Sequence, residues 1–339
     1  MRGAALTLTS PTLDHLVSLT DEVGLFEHAS GSEPRREHGY CVDDVARGLL
    51  VCAREPETTL MVSALTELYL QFLESAIAPD GRSHNRRSAD GVWTDEPGDG
   101  DWWGRAAWGL GVAASRAPSA LTRTRARHAV LQLATARSPH PRAMTFAALG
   151  AGELVLAGDR DPALLALLRD GLAVIPDASP GWGWPEPRLR YGNASVAEAL
   201  ILGGAALNAA ALTARGLAAL EALLRLETRD GHLSVTGTAG RAPGDTGAQF
   251  DQQPIEVAAI ADAAARAFDV TGNPRWLEPV RLAWAWFLGD NDSGVPMVHL
   301  ASGAGFDGLE RDGRNDNRGA ESTLAALSTH QQARRLGQA

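Results

Sequence analysis

The sequence predicts an all-α protein whose twelve helices form six helical hairpins, closed into an (α/α)6 toroid. Ala, Leu and Gly dominate the 339 residues and Ile is scarce, a composition that favours helices over strands. Apolar residues recur at helical spacing in one segment after another. Long loops rich in Gly, aromatic and charged residues alternate with short connections that lack them. These three observations indicate repeated pairs of helices with functional loops at one end.

The individual helices are placed by their apolar stripes and by their start and stop signals. Pro11 begins the first helix, Pro56 ends the second, and Asp161 and Asn273, each followed by proline, begin the seventh and eleventh. The eighth is apolar on nearly every side, as expected of a fully buried helix. The predicted ranges are 12–28, 42–54, 58–77, from 101, 119–136, 142–156, from 161, 193–211, 214–226, 254–268, 273–288 and 319–336.

The spacing of the even-numbered helices supports a repeat of two helices. Their starts recur at intervals of roughly 40 to 66 residues, and such a unit must stack on its neighbours to bury its apolar face. An open solenoid would also meet this requirement, but the long, unequal loops on one side favour a closed ring with the even helices inside. We expect one domain over residues 1–339, with short β-turn or hairpin segments in the loops 79–100 and 228–250.

Charge and composition exclude several classes of function. The formal net charge of −10 argues against nucleic acid or an anionic membrane as the main partner. No apolar run of about 18 residues predicts a membrane span, and the N-terminal residues do not resemble a signal peptide. Cys41 and Cys52, about 16 Å apart on one helix, are too distant for a disulfide and indicate a reduced, cytoplasmic protein. A phosphate-binding Gly-rich loop and metal-binding patterns are absent, so we expect no cofactor and no metal.

The stretch HGYCVDDVARGLLV, residues 38–51, places polar groups directly before a buried helix. Asp43 and Asp44 stand at the start of that helix, where either carboxylate could cap it or act on a ligand. Because consecutive helical residues point about 100° apart, we expect one of them to be a cap and the other a site residue. His38 and Tyr40 could hydrogen-bond a sugar or orient the acid.

A second cluster lies at the start of the fourth helix. Trp102, Trp103 and Arg105 follow a loop that is rich in carboxylates. An exposed indole beside carboxylates can stack on the face of a sugar while the acids bind its hydroxyl groups. The same tryptophans could instead fill the interior of the ring.

A third segment, GWGWPEPRLRYGN at residues 181–193, holds Glu186 between two prolines. Trp184, Arg188 and Tyr191 flank it. A carboxyl group on a rigid loop with aromatic walls suits a general acid with a raised pKa. A surface pair between this glutamate and a neighbouring arginine is the structural alternative.

The remaining candidates lie before and at the start of the tenth and twelfth helices. The amide side chains among them suit sugar hydroxyl groups. Asp251 could serve only to cap its helix, and Glu321 could serve only to complement the helix dipole. These candidates are Asp251, Gln252, Gln253, Asp307, Asn317 and Glu321.

Four segments carry a resemblance to a known class of protein. At HGYCVDDVARGLL, GWGWPEPRLRYGNASVAEAL, QFDQQPIEVAAIADA and NRGAESTLAAL the chain resembles bacterial six-hairpin glycosidase-like proteins. It is most similar to (α/α)6 domains found beside or fused to glycosyltransferases in bacterial glycan loci. The resemblance covers nearly the whole chain and implies a carbohydrate substrate and a nearby glycosyltransferase partner. The fold also hosts sugar epimerases and polysaccharide lyases, so fold likeness alone does not choose the reaction.

We predict a glycoside hydrolase that acts on a bacterial oligo- or polysaccharide. Of the two stereochemical routes, we favour the one that inverts the configuration at the anomeric carbon. Hydrolysis needs one protonated and one ionised carboxyl group, and we expect these from one of Asp43 and Asp44 together with Glu186. Asp251, Asp307 and Glu321 are the further candidates. One alternative is a sugar epimerase or isomerase, which would need two histidines across a cleft. The other is a non-catalytic glycan-binding module that partners a glycosyltransferase.

Overall fold

Six helices form a closed inner ring, and the others pack around it. The computed structural model describes residues 10–339, and in that range it contains twelve α-helices. Their bounds are α1 Asp14–Ser18, α2 Val42–Arg54, α3 Leu60–Ala76, α4 Asp101–Arg116, α5 Ala120–Leu133, α6 Pro141–Leu156, α7 Pro162–Ala173, α8 Asn193–Ala206, α9 Ala210–Glu227, α10 Pro254–Thr271, α11 Leu277–Phe287 and α12 Ala320–Arg335. Short 3₁₀ turns lie at Arg36–His38 and Pro274–Trp276.

The even-numbered helices make up the inner ring. Each of α2, α4, α6, α8, α10 and α12 contacts the next, and α12 contacts α2, which closes the circle. The outer helices α3, α5, α7, α9 and α11 each pack on the inner helix that precedes them, and α1 packs on α12. The prediction of an (α/α)6 toroid with the even helices inside is therefore confirmed, and the open solenoid is excluded.

Small antiparallel hairpins decorate the loops. The strands are β1 Ala29–Ser30, β2 Glu33–Pro34, β3 Tyr40–Cys41, β4 Arg86–Arg87, β5 Thr228–Arg229, β6 His232–Leu233, β7 Val298–His299, β8 Ala304–Gly305, β9 Gly308–Glu310 and β10 Gly313–Asn315. They pair as β1–β2, β3–β4, β5–β6, β7–β8 and β9–β10. The strand pair expected in the loop 228–250 is present. The loop 79–100 also contains a short antiparallel turn, in which Arg87 bridges Trp93, and its strand β4 pairs in addition with the distant β3.

The first predicted helix, 12–28, is wrong in length, because α1 is a helix of five residues. The Asp21 side chain accepts hydrogen bonds from the backbone N–H groups of Val23 and Gly24, at 2.9 and 3.2 Å. Such a local side-chain turn competes with helical hydrogen bonding. The phenol of Tyr40 also donates to Asp21. The helix therefore ends at Ser18, and the chain turns at Asp21.

The boundary between α8 and α9 also differs from the prediction. We expected the eighth helix to reach residue 211, but α8 ends at Ala206 and α9 begins at Ala210. Asn208 between them has a φ of 53°, a left-handed conformation that asparagine adopts more readily than most residues. The residues directly beside Asn208 are Ala and Leu, which have high helix propensity, so the apolar pattern continues through this turn and does not locate it.

The inner helices approach one another so closely that glycine is required at several contacts. A Cβ atom on Gly150 of α6 would collide with the carbonyl oxygen of Ala107 on α4, and one on Gly111 of α4 would collide with that of Gly150. Backbone atoms cannot move aside as a side chain can. The Gly and Ala content of the sequence thus sets the diameter of the ring.

Two further features bear on the sequence expectations. Cys41 and Cys52 are both buried and not bonded to each other. Among residues 10–339, no helix is both long enough and apolar enough to cross a membrane.

We expect the substitution Gly150→Ala to lower the free energy of unfolding by about 1–3 kcal/mol, because overpacking against backbone forces the two helices apart. The matched control is Gly152→Ala on the same helix. There the added methyl group meets the side chain of Leu202 at 3.0 Å, which can shift, and the higher helix propensity of alanine offsets the strain. Urea unfolding of both variants tests this, and equal effects would contradict the close-approach argument.

Candidate functional site

The first turns of the inner helices meet at one end of the ring. Asp43 and Asp44 lie on α2, Arg105 on α4 and Glu321 on α12, while Tyr191 lies just before α8. Side chains from these helices contact one another across the ring. The arrangement follows from the connectivity, because hairpins that pack in the same sense bring every inner helix start to the same face.

Arg47 of α2 is the centre of this cluster. Its Nη2 donates to Asp43 Oδ2 at 2.5 Å, and its Nη1 lies 2.9 Å from Asp44 Oδ1 and 2.7 Å from Glu321 Oε2. It also donates to the hydroxyl of Tyr191. The Arg47 side chain is only 8% exposed, so one buried guanidinium joins three carboxylates and a phenol.

The helical repeat explains why α2 can present both aspartates to Arg47. Positions i+3 and i+4 lie on the same face as position i, and Arg47 stands three residues after Asp44 and four after Asp43. The guanidinium bridges two side chains that would otherwise diverge. The expectation that only one aspartate faces the site is therefore wrong. Burial would lower the pKa of Arg47, but the surrounding anions raise it well above its usual value.

Asp44 lies deeper than its neighbour. Burial raises the pKa of its carboxyl group to about 8, against the opposing effect of Arg47. The thiol of Cys41 donates to its Oδ2 at 3.2 Å, and the Cys41 sulfur accepts from the Asp44 backbone N–H at 3.4 Å. Cys41, rather than either aspartate, thus caps α2, which corrects the expected cap. Asp43 is more accessible, with a side chain 24% exposed.

Tyr191 is held over the cluster by the start of α8. Gly192 is the N-cap residue of α8 and has a φ of 57°, a left-handed conformation. Because glycine has no side chain, the N-cap residue cannot itself cap the helix. Glu256 of α10 supplies the cap instead, because it accepts from the backbone N–H groups of Gly192 and Asn193 and from the Asn193 side chain. Arg105 donates to the Tyr191 hydroxyl at 3.0 Å.

A cleft opens above the cluster, and we call this part of it the acid lobe. Its volume is about 320 Å³, which falls in the usual range for ligand sites. Burial also raises the pKa of Asp101, which lines it. The lining residues are Glu27, His28, Cys41, Asp43, Asp44, Asn85, Arg86, Asp101, Trp102, Gln253, Asp307, Gly319, Glu321 and Ser322.

A second part of the cleft, the arginine lobe, has a volume of about 400 Å³. It shares Gln253 with the acid lobe, and Tyr191 on its wall reaches the Arg47 cluster through its hydroxyl. The two lobes therefore form one elongated cleft. The residues that line the arginine lobe are Arg188, Arg190, Tyr191, Thr236, Gly237, Thr238, Ala239, Gly240, Gln253 and Glu256.

The structure brings about half of the predicted site residues to this cleft. Arg105 lies beneath it, 3% exposed, with its guanidinium 3.8 Å from the ring centre of Phe146. Asp307 lines the acid lobe but accepts from the Gly319 backbone and the Ser322 hydroxyl, and so holds the start of α12. The predicted residues that line the cleft are Asp43, Asp44, Trp102, Arg188, Tyr191, Gln253, Asp307 and Glu321.

Other predicted residues serve the fold. Trp103 is fully buried and donates to the carbonyl of Gly81 in the loop after the outer helix α3, so it belongs to the core and not to the cleft. Tyr40 is fully buried with its hydroxyl on Asp21. Gln252 is fully buried and bonds Asp292. His38 is exposed on a 3₁₀ turn.

The loop candidates also lie outside both lobes. Glu186 receives Nη2 of Arg142 at 2.6 Å and the indole N–H of the fully buried Trp184 at 3.3 Å, so the Glu–Arg pair is the arrangement found. Asp251 packs beside Gly308. Asn317 accepts from the Gly31 backbone and holds the N-terminal segment to the loop before α12.

Sequence reasoning missed several residues of the cleft. Arg47 had a usable signal, since its spacing from both aspartates matches the helical repeat. No sequence signal marks the other missed residues, because they reach the cleft only through long-range pairing. These residues are Glu27, Arg86 and the segment 236–240. Arg86, for example, arrives through the β3–β4 pair and bonds Glu27.

Comparison with known proteins supports the fold. The chain matches no protein-family model and no curated protein. It is similar in structure to a cellobiose 2-epimerase from Bacillus thermoamylovorans, with a TM-score of 0.72 and 10% identity over 96% of each chain. A sugar epimerase from a ruminal bacterium gives 0.71 and 12% over 96% of this chain and 97% of that one.

A third similar structure is an α-1,6-mannanase from Salegentibacter sp., bound to an α-1,6-linked mannotetraose. It gives a TM-score of 0.67 and 11% identity over 96% of each chain. That protein is an inactive variant in which two consecutive aspartates are replaced by alanine. These neighbours include both hydrolases and epimerases, and what this chain shares with them is the (α/α)6 toroid fold.

The raised pKa of Asp44 predicts a pH-dependent stability. Between about pH 4 and pH 8 the folded state keeps the proton that the unfolded state has lost, so stability falls as pH rises through this window, by at most about 1.4 kcal/mol per unit. Asp44→Asn mimics the protonated acid and removes this slope. We expect the stability of the native protein relative to Asp44→Asn to decline steadily from pH 4 to pH 8.

The measurement is urea unfolding at pH 4.5, 6 and 7.5. Thr66→Val is the control, because Thr66 is buried and bonded to a backbone carbonyl but does not titrate in this range. Its effect on the free energy of unfolding should stay constant with pH. A constant effect of Asp44→Asn would show that Asp44 is ionised in the folded state.

Proposed function

We propose that this protein is a glycoside hydrolase that acts on a bacterial oligo- or polysaccharide. The observation that carries the proposal is the convergence, in one cleft, of carboxyl groups in contrasting environments. Asp43 and Glu321 contact a buried arginine, while burial raises the pKa of Asp44 and Asp101. Glycoside hydrolysis needs such a pair, one ionised and one protonated.

We assign the ionised role to Asp43 and the protonated role to Asp101. Asp43 is held by Arg47 and remains partly exposed to the acid lobe. Asp101 lies on the first turn of α4, next to Trp102, and both line the same lobe. Asp44 has the higher pKa, but it is 3% exposed and bonded to Arg47 and Cys41. Its proposed role is to keep the cluster near electrical neutrality.

Spacing bears on the stereochemistry. The carboxylates of Asp43, Asp44 and Glu321 each place an oxygen within 4.8 Å of the others. An inverting reaction needs carboxyl groups about 6.5–9.5 Å apart, so that a water fits between them. Two members of the cluster are too close for this. An inverting reaction, which we propose, therefore takes its acid from outside the cluster, and Asp101 lines the same lobe without belonging to the cluster.

The other acids predicted from the sequence receive supporting roles in this proposal. Glu186 is bound by Arg142 and anchors the 181–193 loop. Asp307 positions the first turn of α12 and therefore Glu321. The carboxylate of Asp251 packs against Gly308. Replacement of Glu186 should reduce activity much less than replacement of Asp43.

The α-1,6-mannanase supports the proposal by the type of residue involved. Its inactivating substitutions fall on two consecutive aspartates, and Asp43 and Asp44 are consecutive here. Its ligand is an oligosaccharide. Trp102 on the wall of the acid lobe offers an apolar surface of the kind that packs on sugar rings.

A sugar epimerase or isomerase is the second candidate, and the comparison itself favours it. The epimerases give TM-scores of 0.71 and 0.72, above the 0.67 of the mannanase. Against it stands the histidine content of the cleft. Among the described residues only His28 lines either lobe, and His38 packs beside it at 5.0 Å between ring centres rather than opposite it.

A non-catalytic glycan-binding module that partners a glycosyltransferase is the third candidate. It would bind oligosaccharides in the same cleft without turnover.

A cytoplasmic location is part of our proposal, since free, buried thiols such as Cys41 and Cys52 agree with a reducing compartment.

We expect Asp43→Asn and Asp101→Asn each to reduce kcat by about 10²–10⁴-fold, because each removes a group that reacts or transfers a proton. Native protein and variants are incubated with a library of bacterial oligosaccharides, and the products are followed by NMR. The anomer formed first reports inversion or retention. In D2O, deuterium at C2 without cleavage would identify an epimerase instead.

The matched control is Glu278→Gln on the outer helix α11, an exposed acid paired with Arg281. It should keep full activity. Circular dichroism of each variant confirms that the fold is intact. If Asp43→Asn and Asp101→Asn remain folded and as active as Glu278→Gln, the acid lobe is not the catalytic site.

A further inference from the structure

Two arginines point into the cleft from one extended segment. Leu189 forms a backbone pair with Arg241, with N–H to carbonyl distances of 2.8 and 3.0 Å in the two directions. Because successive side chains of an extended chain alternate between its two sides, the buried Leu189 faces the core and its neighbours face the opposite way. Arg188 and Arg190 consequently both line the arginine lobe.

Neither arginine has an acidic partner within the part of the chain that the structure describes. Arg188 Nη2 donates to the backbone carbonyls of Ala239 and Gly240, at 3.1 and 3.3 Å. These bonds fix the guanidinium against the lobe wall and leave its charge uncompensated. Arg190 is exposed, and its only hydrogen bond runs from its backbone to Asn193.

The acids near this lobe do not neutralise the arginines. Glu256 is the one carboxylate that lines the lobe, and its two oxygens are already engaged by Gly192 and Asn193 at the start of α8. Glu227 lies behind the wall, fully buried, where it accepts from the Thr236 backbone at 2.8 Å, and burial raises its pKa to about 7. The lobe is therefore a local positive site in a protein with a net charge of −10.

We propose that the arginine lobe binds an anionic sugar unit, so that the substrate is an acidic glycan carrying a carboxylate, sulfate or phosphate group. The inference rests on the proposed function for the position of the scissile bond, but the binding of an anion does not. Planar guanidinium groups suit the oxygen atoms of such anions through paired hydrogen bonds. Gly237 and Gly240 also line the lobe, and the absence of side chains lets their segment pack against the backbone of Phe250 and Leu189.

The two lobes then fix the direction in which the glycan lies. Acidic side chains dominate the acid lobe and would repel an anionic unit, while the arginine lobe would attract it. A charged unit in the arginine lobe places its neighbour in the acid lobe, across Gln253. Charge thus selects both the type of glycan and its register in the cleft.

The test compares acidic oligosaccharides with neutral counterparts of the same linkage. The probes are oligosaccharides of polygalacturonate, alginate and a bacterial glucuronate-containing polysaccharide, each beside its carboxyl-reduced form, with sulfated and phosphorylated oligomannosides as further arms. Isothermal titration measures binding without any need for turnover. We expect at least one acidic probe to bind at least tenfold more tightly than its neutral counterpart, and to weaken as salt screens the interaction.

Variants locate the effect. Arg188→Gln and Arg190→Gln should each weaken binding of the preferred acidic probe about tenfold, the size expected from loss of one charge-assisted hydrogen-bond pair. They should weaken binding of the neutral form much less. Arg169→Gln, at an exposed position on α7, is the control for net charge.

The outcomes separate this inference from the proposed hydrolysis. Arginine-dependent binding of an acidic probe without cleavage would uphold the inference and overturn the hydrolase. Cleavage of acidic and neutral glycans alike, at rates that neither arginine substitution lowers, would uphold the hydrolase and overturn the inference. Absence of binding to every acidic probe would also overturn it, and the arm that binds identifies carboxylate, sulfate or phosphate as the anion.

Discussion

The contact between Arg47 and three carboxylates is the interaction on which the candidate site depends. Asp43, Asp44 and Glu321 come from two helices and lie within 4.8 Å of one another, where like charges repel strongly in a buried environment. Arg47 compensates that repulsion, and the raised pKa of Asp44 removes a further negative charge near neutral pH. Removal of one partner from such a group leaves uncompensated buried charge, which costs far more than an exposed pair contributes.

The architecture of the ring explains how such a cluster can form. Close Gly and Ala contacts let the inner helices approach until their first turns share one small area. The first backbone N–H groups of each helix have no partner within the helix. Near the cleft, side chains from neighbouring helices accept hydrogen bonds from such groups. Glu256 caps α8 from α10, and by doing so holds Tyr191 on Arg47. The caps that stabilise the fold are thus the same contacts that position the site.

Local patterns predicted most of the fold and part of the site. Apolar periodicity located eleven of the twelve helices, and position at an inner helix start correctly indicated Asp43, Tyr191 and Glu321 as residues of one cleft. The predictions are wrong where a contact with a residue distant in sequence determines the conformation or the burial. The Asp21 turn shortens α1, and the Gly81 carbonyl draws Trp103 into the core. Arg142 likewise binds the carboxylate of Glu186, which the sequence predicts as a catalytic acid, and no local pattern indicates such distant partners.

The most direct measurement of the central claim is a crystal structure of the Asp43→Asn variant with an oligosaccharide bound. If the cleft above Arg47 is where a glycosidic bond is hydrolysed, a bridging oxygen should lie within hydrogen-bond distance of the Asp101 carboxyl group. The sugar rings should occupy both lobes, with Trp102 against one face. An oligosaccharide bound elsewhere, such as in the groove formed by Trp182 and Arg225, with both lobes empty, would contradict the account.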